Sequence, residues 1–460
     1  IMIADKKLEL ISRNSLESIH PKMDTKTFNR KPSLFNVLSI LFSVLYLIIT
    51  GYTGLIIALN VFSFTYFSYK LALTIYGLKN IKDNDVACMD ADKDLPKYCV
   101  LLPCRNEGEK VINELVKNIN AIDYPKNKMD VVLLVDSDDD YLGAISNMNL
   151  PSHFRILSAS ANFPFTKPKV CNLGLYGTDA ELVVVYDAED KPDPLQLRKV
   201  VNEFKDKEVE AVQCRLHYKN KNNNLLTRFF NLEYLAWFSL TIKGLENIQG
   251  AKPVIPFGGT SQHLRVKSLK EIGGWSAYNV TEDADLGVRM ARLGMKISVI
   301  DSVTEEIAVS NLWIWIKQRT RWNLGFLVTY SVHTRDVKAL IKDVGVWGFI
   351  QFYLSIFGNI LAPLIAPPLA IIFFLDYFGI RSGETFIANL PVIALICNYV
   401  LIVLTHAIAS VAKQNSKNLF LSLFQPFYYL LQSISAYRAV WKFFNGSAMV
   451  WEKTEHLVEE

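Results

Sequence analysis

The sequence predicts an α/β domain built on a mostly parallel sheet and flanked by membrane-spanning helices. Two observations carry that expectation. Between residues 95 and 301 short, β-rich apolar runs alternate with polar, helix-like stretches, the pattern of a parallel sheet with crossover helices. On either side lie apolar runs long enough, at roughly 20 residues per crossing, to span a bilayer. Composition agrees. The chain has 460 residues, 50% of them apolar, and a mean hydropathy of +0.18. That is too long for one small domain and too apolar for an ordinary soluble enzyme.

Residues 1–33 form a basic N-terminal segment. Lys6, Lys7, Arg13, Lys22, Lys26, Arg30 and Lys31 all precede the first apolar run, which puts this segment on the cytoplasmic side under the positive-inside rule. That run begins only at Leu34 and is followed at once by a second, so a cleaved leader is not expected. Residues 34–77 are too long for one crossing and predict a transmembrane hairpin, Leu34 to Thr50 and Thr53 to Tyr76, turning at Gly51. The cysteines at 88, 99, 104, 171, 214 and 397 contain no CxxC pair. They fit neither a structural zinc site nor a disulfide framework, and suit a reducing compartment.

Residues 95–310 carry the sheet, with strands expected at Tyr98 to Pro103, Val131 to Asp136, Phe154 to Ser158 and Leu182 to Asp187. In such sheets ligands sit beyond the carboxyl ends of the strands, where Asp136 and Asp187 would lie. Asn224 to Lys243 and Leu312 to His333 interleave Trp, Phe and Leu with Arg or Lys. They read as helices at the membrane surface, with core helices of the domain as the lesser alternative, and the second falls in an interfacial region, 311–343. Residues 344–411 hold two further apolar runs, Trp347 to Tyr377 and Phe386 to Val411, sending the chain out and back. In 412–460 the run Leu419 to Phe444 contains Gln425, Pro426, Arg438 and Lys442, the mark of an interfacial or re-entrant helix, followed by a tail.

Between Val183 and Trp322 fall four short acidic and basic islands, at 187–190, Gln213-Cys214-Arg215, 281–283 and 318–322. Asp187-Ala188-Glu189-Asp190 follows an apolar strand, and its carboxylates can grip a divalent cation; alone, it is also an ordinary acidic turn. Thr281-Glu282-Asp283 precedes the helix-like stretch Ala284 to Leu293, and reads either as an N-cap with dipole-favoured acids or as a site for a general base. In Gln318-Arg319-Thr320-Arg321-Trp322, Arg321 suits a departing diphosphate and Trp322 a stacking floor. Pro103-Cys104-Arg105-Asn106-Glu107 joins the first strand to a helix. A net charge of +4 gives no nucleic-acid signature.

Taken in order with an acidic turn at 136–140, Lys169 with Asn172, and Gly258-Gly259-Thr260, these motifs resemble the inverting family 2 glycosyltransferases. The likeness is strongest to the processive membrane branch of cellulose, chitin and hyaluronan synthases, and covers about residues 95 to 325. The resemblance implies a GT-A-like nucleotide-sugar domain with a UDP-sugar donor and Mg2+ or Mn2+. It implies donor contacts from Arg105, Glu107, Asp136 or Asp138, and Lys169, and a metal at Asp187 and Glu189. It implies catalysis by Asp283 with Glu282 and Arg321, and acceptor or diphosphate contacts from Gln318 and Trp322. The tail Trp451 to His456 resembles the gating segment of those synthases.

The function so implied is extension of a polysaccharide by a multi-pass enzyme of the cell membrane, with its catalytic domain in the cytoplasm. Its partners are the donor, a glycan or lipid acceptor and membrane lipids; the sequence names no export partner. The motif departs from the family's usual Asp-x-Asp, with Glu189 in the third position and Asp190 available as an alternative ligand. Two alternatives stand beside the synthase: a non-processive transferase that glycosylates a lipid, and, from a different class, a transporter or non-catalytic scaffold. A transporter is disfavoured because the apolar spans contain almost no buried charge to mark a solute path, His406 aside.

Overall fold

The protein is described by a computed structural model over residues 34–79, 91–135, 139–158, 166–248, 253–378, 385–413 and 418–445. In chain order the helices are α1 (Leu34–Leu78), α2 (Glu109–Asn120), α3 (Asp139–Ser146), α4 (Lys167–Tyr176), α5 (Gln196–Glu203), α6 (Leu225–Ala236), α7 (Ile242–Glu246), α8 (Val266–Glu271) and α9 (Glu282–Arg292). They continue with α10 (Leu312–His333), α11 (Val337–Phe352), α12 (Gly358–Tyr377), α13 (Thr385–Ala412) and α14 (Gln425–Phe444). The strands are β1 (Tyr98–Cys104), β2 (Met129–Val135), β3 (Phe154–Ser158), β4 (Leu182–Val185), β5 (Lys191–Pro192), β6 (Val209–Tyr218), β7 (Gln262–Arg265) and β8 (Lys296–Glu306).

All eight strands form one sheet, ordered β3-β2-β1-β4-β7-β6-β8-β5. The pairs β1/β2, β1/β4, β2/β3 and β6/β8 are parallel, while β7 lies antiparallel between β4 and β6, and β5 antiparallel on β8. The sheet is therefore mixed, where the sequence predicted it mostly parallel. β7 is only four residues long and follows the Gly258-Gly259-Thr260 turn, so it carried too little periodicity to be read as a strand.

Buried on both faces, the central strands are apolar throughout and divide their side chains by period two. Tyr98, Val100 and Leu102 of β1 and Leu182 and Val184 of β4 pack on one side with Ile112, Leu115 and Ile119 of α2 and Leu197 and Val200 of α5. Cys99, Leu101, Val183 and Val185 face the other way, onto Val170 and Leu175 of α4, Leu245 of α7, Leu269 of α8 and Leu286 of α9. In α2 the spacing of Ile112, Leu115 and Ile119 makes one apolar stripe, with Glu109 in the first turn and Lys117 in the last to match the helix dipole.

The chain runs from β1 outward to β2 and β3, then crosses back to β4 on the other side of β1. This reversal leaves a crevice beyond the carboxyl ends of β1 and β4. Pro103 to Glu107 and Asp187 to Glu189 leave those two ends.

The hairpin expected at Gly51 is not formed. Leu34–Leu78 is one continuous helix of 45 residues, about 68 Å at 1.5 Å per residue. Its last turns are seamed to α7 through two glycines. A Cβ on Gly77 would lie 2.1 Å from the Leu240 carbonyl oxygen, and one on Gly244 2.0 Å from that of Leu73, so both positions require the missing side chain. Among the described residues three stretches are long and apolar enough to cross a membrane: Thr53–Leu78, Leu312–Leu375 and Val392–Ala412. Helix α14, expected to be interfacial or re-entrant, is not among them. Within it Tyr428 and Gln432 reach Glu233 of α6.

Candidate active site

One cavity of about 350 Å3 collects most of the charged islands. Arg105 and Glu107 enter it from beyond β1, and Asp187 and Glu189 from beyond β4. Glu282 and Asp283 come from the start of α9, and Gln318, Arg321 and Trp322 from α10. These elements converge through close backbone approaches. A Cβ on Gly325 of α10 would lie 2.1 Å from the Thr281 hydroxyl, and one on Gly287 of α9 2.0 Å from the Ile255 carbonyl. Asn279 donates to the Thr329 hydroxyl at 2.8 Å, fixing the loop before α9 against α10.

The acidic turn after β4 is held from beneath. Asp190 is wholly buried; its Oδ2 accepts from the Asp187 backbone N–H at 2.7 Å and from the Thr260 hydroxyl. Burial, with Asp187 and Glu189 adding repulsion, raises its carboxyl well above the usual carboxylate range. Asp190 thus shapes the turn, and Asp187 and Glu189 are the pair that line the cavity. Lys167, at the start of α4, donates to Asp187 and, at 2.7 Å, to the Gly259 carbonyl. Burial opposes its charge, but Asp187 and Glu282 outweigh that and raise the ammonium above its ordinary value.

The cavity is lined by Lys167, and Lys169, the lysine implied by the resemblance, is not among its lining residues. Two residues along a helix is about 200° of rotation, enough to send one side chain inward and the other away. Asn172 is also structural. It accepts from the Trp275 N–H at 2.8 Å and donates to the Trp275 carbonyl at 2.7 Å, beside Gly274 at φ +71°. Asp136, Asp138 and the tail from Trp451 to His456 lie outside the described residues.

At the start of α9 the Thr281 hydroxyl makes no capping bond; instead the Ala284 N–H donates to Asp283 Oδ1 at 2.8 Å. That leaves the second Asp283 oxygen beside Gly259, 3.7 Å from where a Cβ would stand. Burial raises the Asp283 carboxyl, against the pull of the Ala284 N–H and Lys167. Glu282 is raised by burial and by the charge of Asp283. A carboxylate lifted toward neutrality suits a general base. Glu306, at the end of β8, also lines the cavity; burial, then Asp190, Asp187 and Glu189, raise it well above its ordinary range. No sequence motif marks it, because it becomes part of the site only through the β6/β8 pairing.

In α10 the five residues from Gln318 to Trp322 serve different ends. Arg319 forms a bidentate ion pair with Glu233 of α6 and lies 4.6 Å from the Trp322 ring centroid. Trp322 stacks on Tyr234 with centroids 6.3 Å apart. The aromatic and basic stretches expected at the membrane surface are thus packed against each other. Gln318 Oε1 is buried without a hydrogen-bond partner among the described residues, an acceptor that a ligand hydroxyl would satisfy.

Asp187 and Glu189 offer hard oxygen donors at i and i+2. Among the described residues no group of three or more His, Cys, Asp or Glu converges as a metal cage. Two carboxylates with substrate phosphates completing the shell is the binding mode Mg2+ favours, so the donor set fits a divalent ion that arrives with its ligand.

Comparison with known proteins agrees with this geometry. Residues 182–409 match the family model described as Glycosyl transferase family group 2. The chain is 27% identical over 286 residues to the Probable glycosyltransferase YdaM of Bacillus subtilis, covering 59% of this chain and 66%, just under two thirds, of that protein. In fold it is similar to the mannosyltransferase PcManGT from Pyrobaculum calidifontis, solved with GDP-Man and Mn2+, with a TM-score of 0.55 at 18% identity. That likeness covers 85% of this chain and 99% of the other, and assigns the mixed sheet domain a GT-A-like fold. The family match spans Asp187, Asp283 and Gln318 to Trp322, so the part of the chain that is similar to family 2 glycosyltransferases contains those site residues.

Proposed function

We propose that the protein is a membrane-embedded inverting glycosyltransferase, using a nucleotide-diphosphate sugar and a divalent metal to glycosylate an acceptor presented at the membrane. The observation that carries this reading is the single cavity in which Asp187 and Glu189 meet Asp283 and Arg321. Asp187 and Glu189 would hold the divalent metal, with Lys167 and Arg321 adding positive charge beside it, and when bound it would neutralise charge on the leaving diphosphate. Arg105 and Glu107 hold the nucleotide, together with Asp136 or Asp138 as the family resemblance implies. Asp283 takes the proton of the acceptor hydroxyl as it attacks the anomeric carbon, and one displacement inverts the configuration there. Gln318 and Trp322 line the acceptor side.

The acceptor we favour is a membrane lipid, because the same cavity is walled by Ala362, Pro363 and Ala366 of α12 and Ile402 of α13, which belong to stretches apolar enough to cross a membrane. A processive β-glycan synthase is the second reading, favoured by Gln318 and Trp322 standing in the cavity as the synthase motif requires. The catalytic domain is cytoplasmic in either case, as the basic N-terminus implies.

Product sizing decides the matter. Detergent-purified protein is incubated with labelled UDP-sugars and GDP-mannose, with Mn2+ or Mg2+, with and without membrane lipid. A short, lipid-extractable product is the expected result. A high-molecular-weight product would establish the synthase, and absence of both transfer and donor hydrolysis would overturn the enzyme reading.

A further inference from the structure

Lys70 puts a positive charge inside Thr53–Leu78, a segment of α1 apolar enough to cross a membrane. A charge in such a segment is costly and marks a function. Its ammonium lies 4.1 Å from the Trp237 ring centroid and 5.5 Å from that of Tyr66. Among the described residues, no hydrogen bond or ion pair engages it. Glu233 acts on it electrostatically, but that carboxylate is already taken by both terminal nitrogens of Arg319, by the Tyr428 hydroxyl and by Gln432. Arg319 neutralises Glu233, and the Lys70 amine is left without a counter-charge of its own.

The position of that charge points to its partner. Lys70 lines the cavity that holds Asp187 and Asp283. It stands eight residues before Leu78, about two turns from the end where Gly77 and Gly244 bring the backbones together. Ala362, Pro363 and Ala366 of α12 and Ile402 of α13 line the same cavity. A partly apolar lane between these helices, with Asn359, Thr405 and His406 among its lining, therefore meets the Lys70 amine and, beyond it, the catalytic carboxylates.

We propose that Lys70 anchors the headgroup of a phosphate-bearing lipid acceptor, with the phosphate on the ammonium, the hydrocarbon along the lane between α1, α12 and α13, and a headgroup hydroxyl at Asp283. The inference rests on the glycosyltransferase reading and names its acceptor class. The hydroxyl oxygen bonds to the anomeric carbon, the bond from that carbon to the diphosphate oxygen breaks, the proton passes to Asp283, and the nucleoside diphosphate departs. Trp237 and Tyr66 keep the ammonium poised without cancelling its charge.

The test compares transfer to lipid with transfer to water. Full-length protein in a maltoside detergent receives labelled donor, metal and lipids extracted from the membranes that hold it, split by anion exchange into phosphate-bearing and neutral fractions. Label is expected in the phosphate-bearing fraction. Lys70→Met is expected to lower the ratio of lipid transfer to donor hydrolysis at least tenfold by raising the acceptor KM, and Lys70→Arg to restore it to within about threefold. Label in the neutral fraction, or an unchanged ratio in Lys70→Met, overturns the proposal. So does a parallel fall of hydrolysis and transfer in both variants, which would assign Lys70 to the donor diphosphate. Absence of hydrolysis and transfer in the unaltered protein brings down the glycosyltransferase reading itself, a distinct outcome.

Discussion

Glu282 and Asp283 are adjacent acids at the start of one helix, yet the structure gives them different surroundings. Glu282 faces Lys167 and is raised to about 7 by burial and by its neighbour; Asp283 is raised to about 6 by burial and keeps one oxygen toward the Gly259 turn. As base, Asp283 must be ionised. Transfer should therefore fall as pH drops through about 6, well above the range of an ordinary carboxylate, and a kcat profile from pH 4.5 to 8 checks this. Asp283→Asn should lower kcat by about 10²–10⁴ while nucleotide binding, read by calorimetry, persists. Because the folded carboxyl is raised above its unfolded value, its ionised form costs stability at pH 7 and the cost is relieved as pH falls through the folded pKa. The same variant should thus gain on the order of 1 kcal/mol at pH 7, seen as a higher Tm that shrinks toward pH 5. At this scale most of the site was legible in the sequence, since adjacent acids and basic pairs stay adjacent when folded. Lys167 and Glu306 were not. Lys167 needed the phase of α4, and Glu306 needed the partner of β8, and neither is a property of neighbouring residues.

Elements show where local reading gives way to packing. A glycine at 51 in a long apolar run reads as a turn because one crossing needs roughly 20 residues. Helix hydrogen bonding is indifferent to that limit, and α1 continues through it. What positions α1 is its other end, where Gly77 and Gly244 let backbones touch. Gly244→Leu should force α1 and α7 apart, lowering the detergent Tm and transfer together, while a leucine at the open Gly108, which has nothing within 4 Å of its Cβ position, should do little. The stretches Asn224 to Lys243 and Leu312 to His333 show what packing adds to a local reading. Their mixture of aromatics and cations fits a membrane surface equally well, but Arg319 is spent on Glu233 inside the protein. Glu233→Gln leaves that guanidinium buried without its counter-charge and should cost about 3–5 kcal/mol, measurable by thermal unfolding against the unaltered protein.

At the scale of the whole molecule, the site exists because a sheet crevice, a helix start and a membrane-associated helix bundle share one cavity. Sequence order predicted the crevice, since parallel strands deliver their carboxyl ends to one side. It did not predict that α1, α12 and α13 would close the far wall, because long-range helix packing leaves no local pattern. This arrangement puts the metal's task in physical terms. A donor diphosphate enters a space already holding Asp187, Glu189, Glu282, Asp283 and Glu306, against Lys167, Arg105 and Arg321. Burial raises Glu282 and Glu306 toward their neutral forms, so the remaining acids and the cations about balance, no surplus positive charge is left for the phosphates, and a divalent ion would supply it for binding as well as for departure. Chelation with EDTA should therefore abolish transfer and weaken nucleotide binding by about tenfold or more, with Mn2+ or Mg2+ restoring both. Removing two of the negative charges should uncouple these effects. In the Asp187→Asn, Glu189→Gln double variant, nucleotide binding should no longer respond to metal while transfer stays lost. Binding that is still strengthened normally by Mn2+ in the double variant would place the metal on other residues, and Glu306 would be the first to exchange.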